Sequence, residues 1–194
     1  LVKSFDGKVV LRGLNLIVWH RERVGLIGPN GAGKSVLLRC ILGLEEGNGG
    51  EIIVGPSTTM AYYAQEHQTL DANATLADEV HRAKPLTNRE LYGLLGRFLF
   101  TADDARKKIG ELSGGEKARV QIAKLMLRGA NFLLLDEPTN NLDLPSSEVL
   151  EAALEDYDGT VLVVSHDRYF LDNVVNRIIE LQDGVLTEYL RNYT

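Results

Sequence analysis

The sequence predicts an α/β fold built on a mostly parallel core sheet, and three observations carry that expectation. Arg23 to Ile27, Asn131 to Leu135 and Thr160 to Val164 are short, nearly continuous apolar runs, as in parallel strands covered on both faces. Helical segments at Lys34 to Leu42, about Ser146 to Tyr157 and Arg168 to Val175 follow these runs in turn. Each run also ends abruptly in polar chemistry: the first in a glycine-rich loop at Gly28, the second in Asp136-Glu137, the third in Ser165-His166-Asp167. In open parallel sheets ligands bind outside the carboxyl ends of the strands, so these groups can converge on one ligand although they are far apart in the chain.

Bulk properties narrow the class. A chain of 194 residues suits one domain and leaves no room for a second full one. With 44% hydrophobic and 25% charged residues the composition is that of a globular protein, and no apolar run approaches the length needed to span a bilayer. A net charge of −6 argues against a broad basic face wrapping nucleic acid. The one cysteine, Cys40, lies in an apolar helix and reads as a small buried hydrophobe. No signal or lipidation pattern is present and the first residue is Leu1, which predicts a domain cut from a longer cytoplasmic protein.

Taken in order, Leu14, Leu16 and Val18 alternate with Asn15, Ile17 and Trp19 as in a strand, and Glu51 to Val54 and Thr59 to Ala64 add two more. The N-terminal third therefore reads as sheet-rich. Arg23 to Ile27 leads into Gly28-Pro29-Asn30-Gly31-Ala32-Gly33-Lys34-Ser35, which satisfies every fixed position of the phosphate-binding pattern G-x-x-x-x-G-K-[ST]. Gly43 is placed to close the helix that follows. From Thr75 to Arg128 the character becomes helical: Thr75, Thr87 and Thr101 stand three residues before Asp78, Glu90 and Asp104, the spacing of capping boxes that open helices. Arg177 to Leu181 and Val185 to Tyr189 read as paired strands around Asp183-Gly184.

The loop implies a Mg-ATP site. Glycines at 28, 31 and 33 let the backbone approach an anion, Lys34 brings a charge to the β- and γ-phosphates, and Ser35 offers a hydroxyl to Mg²⁺. The helix from Lys34 turns its positive end toward the phosphates. Asp136 is placed to organise Mg²⁺ and Glu137 to polarise the attacking water, while His166 can sense the γ-phosphate. Leu112-Ser113-Gly114-Gly115-Glu116 is locally a capping box, with Ser113 as N-cap and Glu116 at the third helical position.

Standing where it does before Asp136-Glu137, that segment resembles the signature motif of the ATP-binding cassette family, and the resemblance covers nearly the whole chain. It implies a phosphate-loop cassette with an antiparallel N-terminal sheet and an inserted helical subdomain: one domain over 1–194, core 1–65 and 130–194, helical part about 66–129. Phe5 matches the adenine-stacking aromatic, Gly28 to Ser35 the Walker A loop with Asn30, Ala32 and Val36 lining it, and Gln65 the Q-loop residue of the metal and catalytic set. Phe132 to Glu137 matches Walker B with its catalytic glutamate, Asn140 to Asp143 the D-loop, and His166 the switch histidine. The family implies head-to-tail pairing with a second cassette. Ser113, Gly114, Gly115 and Glu116 of one cassette then complete the anion site of the other.

A narrower resemblance lies in Glu137-Pro138-Thr139-Asn140-Asn141-Leu142-Asp143 and Ser165-His166-Asp167-Arg168-Tyr169-Phe170-Leu171-Asp172, which are similar to the ABC-F class. That class implies tandem cassettes without a transmembrane part, acting on ribosomes in translation or in protection from antibiotics. The short interval between Gln65 and Leu112 leaves no room for an inserted arm and is similar to a second cassette. Val36 stands where the family commonly has Thr, Asn141 where the class has His, and Arg21 where glycine is usual. The rival readings are the ATP-binding subunit of a membrane transporter, which shares every catalytic motif, and a non-catalytic ATP-gated interaction module, which Glu137 and His166 disfavour.

Overall fold

The computed structural model describes residues 1–63, 70–140 and 142–189. Its centre is a six-stranded sheet of β3 (Arg23–Ile27), β4 (Met60–Tyr63), β5 (Phe132–Asp136), β6 (Thr160–Val164), β7 (Arg177–Gln182) and β8 (Val185–Tyr189), in the order β4-β5-β6-β3-β7-β8. Every neighbouring pair is parallel except β7 and β8, a hairpin at one edge. Asp183 and Gly184 both adopt positive φ there, the geometry that a two-residue turn needs to match strand twist. A separate two-stranded antiparallel sheet joins β1 (Lys3–Phe5) to β2 (Lys8–Leu11).

The apolar runs become the most buried strands because both faces of the sheet are covered. Leu133, Leu135, Val161 and Val163 enter one apolar cluster, with α4 (Gly114–Leu127), α5 (Leu144–Glu155) and α6 (Arg168–Val174). Leu134, Leu162, Val164, Val24 and Leu26 point the other way and meet Leu37 and Leu38 of α1 (Lys34–Ile41). Alternate side chains on opposite faces follow from the pleat, and burial on both faces is why these strands show no apolar-polar alternation. Cys40 is buried on α1, as its apolar surroundings suggested.

Between β4 and β5 the described chain is helical: α2 (Leu76–Ala83), α3 (Asn88–Arg97), two short 3₁₀ turns and α4. Thr75 and Thr87 cap α2 and α3 as the spacing predicts, and Thr87 forms the complete reciprocal box with Glu90. Leu76, Val80, Leu91 and Leu95 from these helices share one cluster with Leu133 and Leu135 of the sheet. A buried ion pair between Glu79 and Lys124 ties α2 to α4, with Arg82 donating to Glu79 at 3.0 Å.

Three expectations are corrected. Thr101 exchanges its capping hydrogen bonds with Asp104, yet only a 3₁₀ turn, Asp104–Arg106, follows. Among 102–108 only Ala105 is buried, so no apolar stripe supports further helical turns. Leu14 to Trp19 keeps its alternation, with Leu14 buried and Ile17 and Trp19 exposed, but forms no strand, and Glu51 to Val54 is exposed and irregular. The third expected strand, Met60–Tyr63, pairs in parallel with β5 at the edge of the core sheet.

Candidate nucleotide site

β3 delivers the chain to Gly28, whose φ of 142° only glycine adopts freely and where a Cβ would stand 2.1 Å from the Leu181 carbonyl oxygen of β7. The loop then passes through Asn30, Gly31 and Ala32 to α1. Gly33 is the N-cap of α1; it provides no side-chain cap, and the first turn carries no acidic residue. The leading N–H groups of α1 therefore keep their donor capacity and the positive end of the helix for an anion. The β1–β2 hairpin leans on this turn, since a Cβ at Gly33 would meet Val10 Cγ1 at 2.6 Å.

Lys34 is buried, and its Nζ donates to the carbonyls of Gly28 at 2.7 Å and Pro29 at 3.0 Å. Burial lowers its pKa, while the nearby carboxylates of Glu137 and Asp136 pull the other way. Ser35 is exposed at the head of α1, and Val36 is half-buried against the cluster beneath it.

The end of β5 carries the two carboxylates. Asp136 is 4% exposed and accepts a hydrogen bond from the Tyr62 hydroxyl at 3.2 Å. Burial, then the adjacent Asp136 charge, pushes the Tyr62 phenol up to about 12, so it remains a donor. Glu137 is buried with φ 49°, and its N–H donates to Val164 O at 2.9 Å, adding a rung to the β5–β6 ladder. That left-handed turn brings Glu137 Oε1 to 3.3 Å from Nε2 of the half-exposed His166. Behind them the buried Ser165 hydroxyl lies 3.3 Å from Thr139 Oγ1 and accepts from the N–H of Asp167, the N-cap of α6. A cavity of ≈ 340 Å³ beside the loop is lined by Gly28, Pro29, Ser165, His166, Arg168 and Glu180. A larger one of ≈ 460 Å³, walled by Leu16, Trp19, Ile53 and Phe132, holds none of the candidate site residues.

The loop, Asp136, Glu137 and His166 are thus brought to one edge of the sheet, as the strand ends suggested. Ser113 to Glu116 stand apart at the head of α4. Ser113 caps α4 in a complete box with Glu116, whose carboxylate accepts from the Ser113 N–H at 2.7 Å and is held below its ordinary range by it. Gly114 and Gly115 open that helix, and the turn packs against the start of α5 rather than the phosphate loop. Phe5 is 41% exposed on β1, with Lys3 Nζ 4.5 Å from its ring centroid. Gln65 lies outside the described residues. Tyr62 has no local sequence signal for its contact with Asp136; it is reached only through the β4–β5 register, which sets Tyr62 beside Leu134.

These groups fit a Mg-nucleotide. The close approach at Gly28 leaves no room for a side chain, α1 presents free donors, Lys34 offers a cation to phosphate oxygens, and Ser35 and Asp136 offer the hard oxygen ligands that a phosphate-bound Mg²⁺ uses. Among the described residues no cluster of three His, Cys, Asp or Glu forms a metal cage, and none is needed where phosphates and water supply most ligands.

A family model described as ABC transporter matches residues 11–140. ABC transporter F family member 5 of Arabidopsis thaliana is 44% identical over 193 residues, covering 98% of this chain and 28% of the relative. Energy-dependent translational throttle protein EttA of Escherichia coli K12 is 39% identical over 200 residues, covering 100% and 36%. The chain thus spans about a third of the length of these relatives. A dimeric post-hydrolysis state of the ATP-binding cassette MJ0796 bound to ADP and Pi superposes with a TM-score of 0.81 at 25% identity, covering 99% of this chain and 96% of that one. No helix among the described residues is long and apolar enough to cross a membrane. A match of this extent, on a sheet whose strand ends gather Lys34, Asp136 and Glu137, places the chain in the ABC transporter family as an ATP-binding cassette with similarity to ABC-F members.

Proposed function

We propose that this cassette binds and hydrolyses Mg-ATP as one of two head-to-tail cassettes in an ABC-F protein that acts on the ribosome. The observation that carries the hydrolytic reading is the buried Glu137 carboxylate, held by its left-handed backbone within 3.3 Å of His166 and close enough to Lys34 to favour its charged form. In this reading residues 1–65 and 130–194 form the nucleotide core, and about 66–129 form the helical part that carries Ser113 to Glu116.

The loop N–H groups and Lys34 bind the phosphates, with Asn30, Ala32 and Val36 supplying backbone around them and Phe5 stacking the base. Ser35, Asp136 and Gln65 hold Mg²⁺, which when bound neutralises charge on the β- and γ-phosphates. Glu137 orients the attacking water and accepts its proton at a carboxylate oxygen, while His166 steadies Glu137 and the γ-phosphate. Ser113 and the N–H groups of Gly114 and Gly115 complete the site of the partner cassette, with Glu116 fixing the turn. The dimeric state of MJ0796 supports pairing, and the throttle function in EttA's name supports a translational role.

Two measurements test this. Mg-ATP at 100 times its dissociation constant stabilises a one-site protein by about 2.7 kcal/mol, and Lys34→Ala removes that thermal shift. The parent protein carrying Glu137→Gln and the matching change in a first cassette co-sediments with ribosomes in ATP and much less in ADP. Recovery with a membrane subunit and no ribosome association at moderate salt would instead make the chain a transporter's ATP-binding subunit.

A further inference from the structure

A buried polar chain joins the head of α4 to the head of α5, and none of the roles above uses it. Arg119, in the second turn of α4, is 8% exposed, and its Nη1 donates to Ser146 Oγ at 3.2 Å. Ser146 is fully buried, and its N–H donates to Oδ1 of Asp143, the N-cap of α5, at 3.0 Å. The Ser146 hydroxyl passes its own proton toward the same carboxylate; with the backbone N–H, this holds Asp143 below its ordinary range. The order is chemically consistent, because a guanidinium only donates, a carboxylate only accepts, and a hydroxyl between them does both.

This chain is an expensive way to hold two helices together. The Arg119 guanidinium lies 5.1 Å from the Phe100 ring centroid, and its Nε is buried without a hydrogen-bond partner. A well-packed apolar side chain commonly serves stability as well as, or better than, a buried charge with an unmade hydrogen bond. What the arginine supplies is direction. The same two residues meet the signature turn itself: a Cβ on Gly115 would lie 3.1 Å from Ser146 Oγ and 3.4 Å from Asp143 Oδ1. On the side toward Glu137, Leu142 N–H donates to Thr139 O at 3.1 Å and Asn140 N–H to Glu137 O at 3.1 Å.

We infer that Arg119 is a positioning residue that, through Ser146 and Asp143, locks the signature turn Ser113–Glu116 to the segment ending in Asp143, so that the two move as one body. The inference rests on the ATPase reading above. In that reading Ser113 and Gly115 face the nucleotide of the other cassette, whereas Glu137 works on this cassette's own. A nucleotide arriving across the interface therefore aligns Glu137 from within its own chain, and the two sites are coupled through Arg119 as well as through the interface.

The test uses the full-length parent protein with Arg119→Lys, which keeps the charge but loses the planar fork, and Ser146→Ala, which removes only the relaying oxygen and serves if the first variant does not fold. Each is expected to lower ATP turnover at saturating ATP about tenfold while Mg-ATP affinity of the cassette stays within about twofold, a split that general loosening of the fold would not produce. The double variant is expected to fall no further than the worse single one, because both changes cut the same chain. Turnover within about twofold of the parent in a folded single variant, or a fall that merely follows lost ATP affinity, overturns the inference; so do losses that multiply in the double variant. Failure of the unsubstituted cassette to bind Mg-ATP is a separate result that overturns the ATPase reading itself.

Discussion

Glu137 Oε1 and His166 Nε2 stand 3.3 Å apart at the ends of β5 and β6, strands that are neighbours in the sheet although distant in sequence. The contact depends on the left-handed backbone at Glu137, which turns the side chain back over the strand ends instead of letting it follow the pleat. Glutamine has the same length and adopts the same φ at similar cost. Glu137→Gln is therefore expected to keep the fold, with the unfolding free energy changed by about 1 kcal/mol or less. ATP binding persists and turnover falls on the order of a hundredfold, because an amide does not accept the proton of the attacking water. Single-turnover kinetics beside equilibrium binding of a fluorescent ATP analogue measure both quantities; near-normal turnover would move the catalytic role elsewhere.

Gly28→Ala is expected to be far more damaging than its single added methyl suggests. That methyl would lie 2.1 Å from the Leu181 carbonyl, which is backbone within β7 and has no side-chain freedom to yield. Either the loop or the β3–β7 pairing must move, at a cost of about 3 kcal/mol or more. Denaturant unfolding reads the loss. If stability stays within about 1 kcal/mol of the parent, the close packing of loop against β7 is wrong.

Arg21 offers the opposite change. It occupies φ 62°, the left-handed region, in the turn that leads into β3, and its N–H donates to Thr160 Oγ1 at 2.9 Å. The turn thus keeps the geometry a glycine would give it, and among the described residues its side chain makes an exposed ion pair with Asp158. Relieving the backbone penalty of about 1 kcal/mol outweighs such a pair, so Arg21→Gly is expected to raise the melting temperature by about 2–4 °C. A lower melting temperature would mean that the ion pair matters more than the strain.

Stability is expected to fall at alkaline pH through buried phenols. Burial pushes Tyr63 up to about 12, and burial with the Asp136 charge does the same for Tyr62. The folded state keeps both phenols neutral where an unfolded chain ionises them near its ordinary value of about 10. Their contribution is thus complete below pH 10 and is lost as the pH rises toward 12. Tyr63→Phe should flatten the decline across that window by about one proton, read from denaturant titrations at a series of pH values. An unchanged slope would place Tyr63 in water.

What was legible in the sequence was what a short run of chain determines by itself. The phosphate loop, the caps at Thr75, Thr87 and Ser113 and the turn at Asp183-Gly184 are local geometries, and all form where the residues indicated. Strands are different, because a ladder needs a neighbour. Leu14 to Trp19 carries the alternation and even the matching burial, yet no strand lies alongside it. Tyr62 against Asp136, and Arg119 against Ser146, arise from register and helix packing, which no interval in one segment encodes. The strand-end convergence of Lys34, Asp136, Glu137 and His166 was legible because apolar runs covered on both faces already imply parallel order, and parallel order puts their ends together.

The place of β3 in the sheet has a consequence for how the protein is made. β3 pairs only with β6 and β7, and both leave the ribosome after it, β6 on the order of a hundred residues later. Until then the strand that carries the phosphate loop is an apolar segment with no partner on either side. A chain that stops before β6 and β7 lacks the strands that hold the phosphate loop in place. The Leu181 carbonyl closes against Gly28 only once β7 has docked, so synthesis must pass β7 before the loop reaches its folded packing.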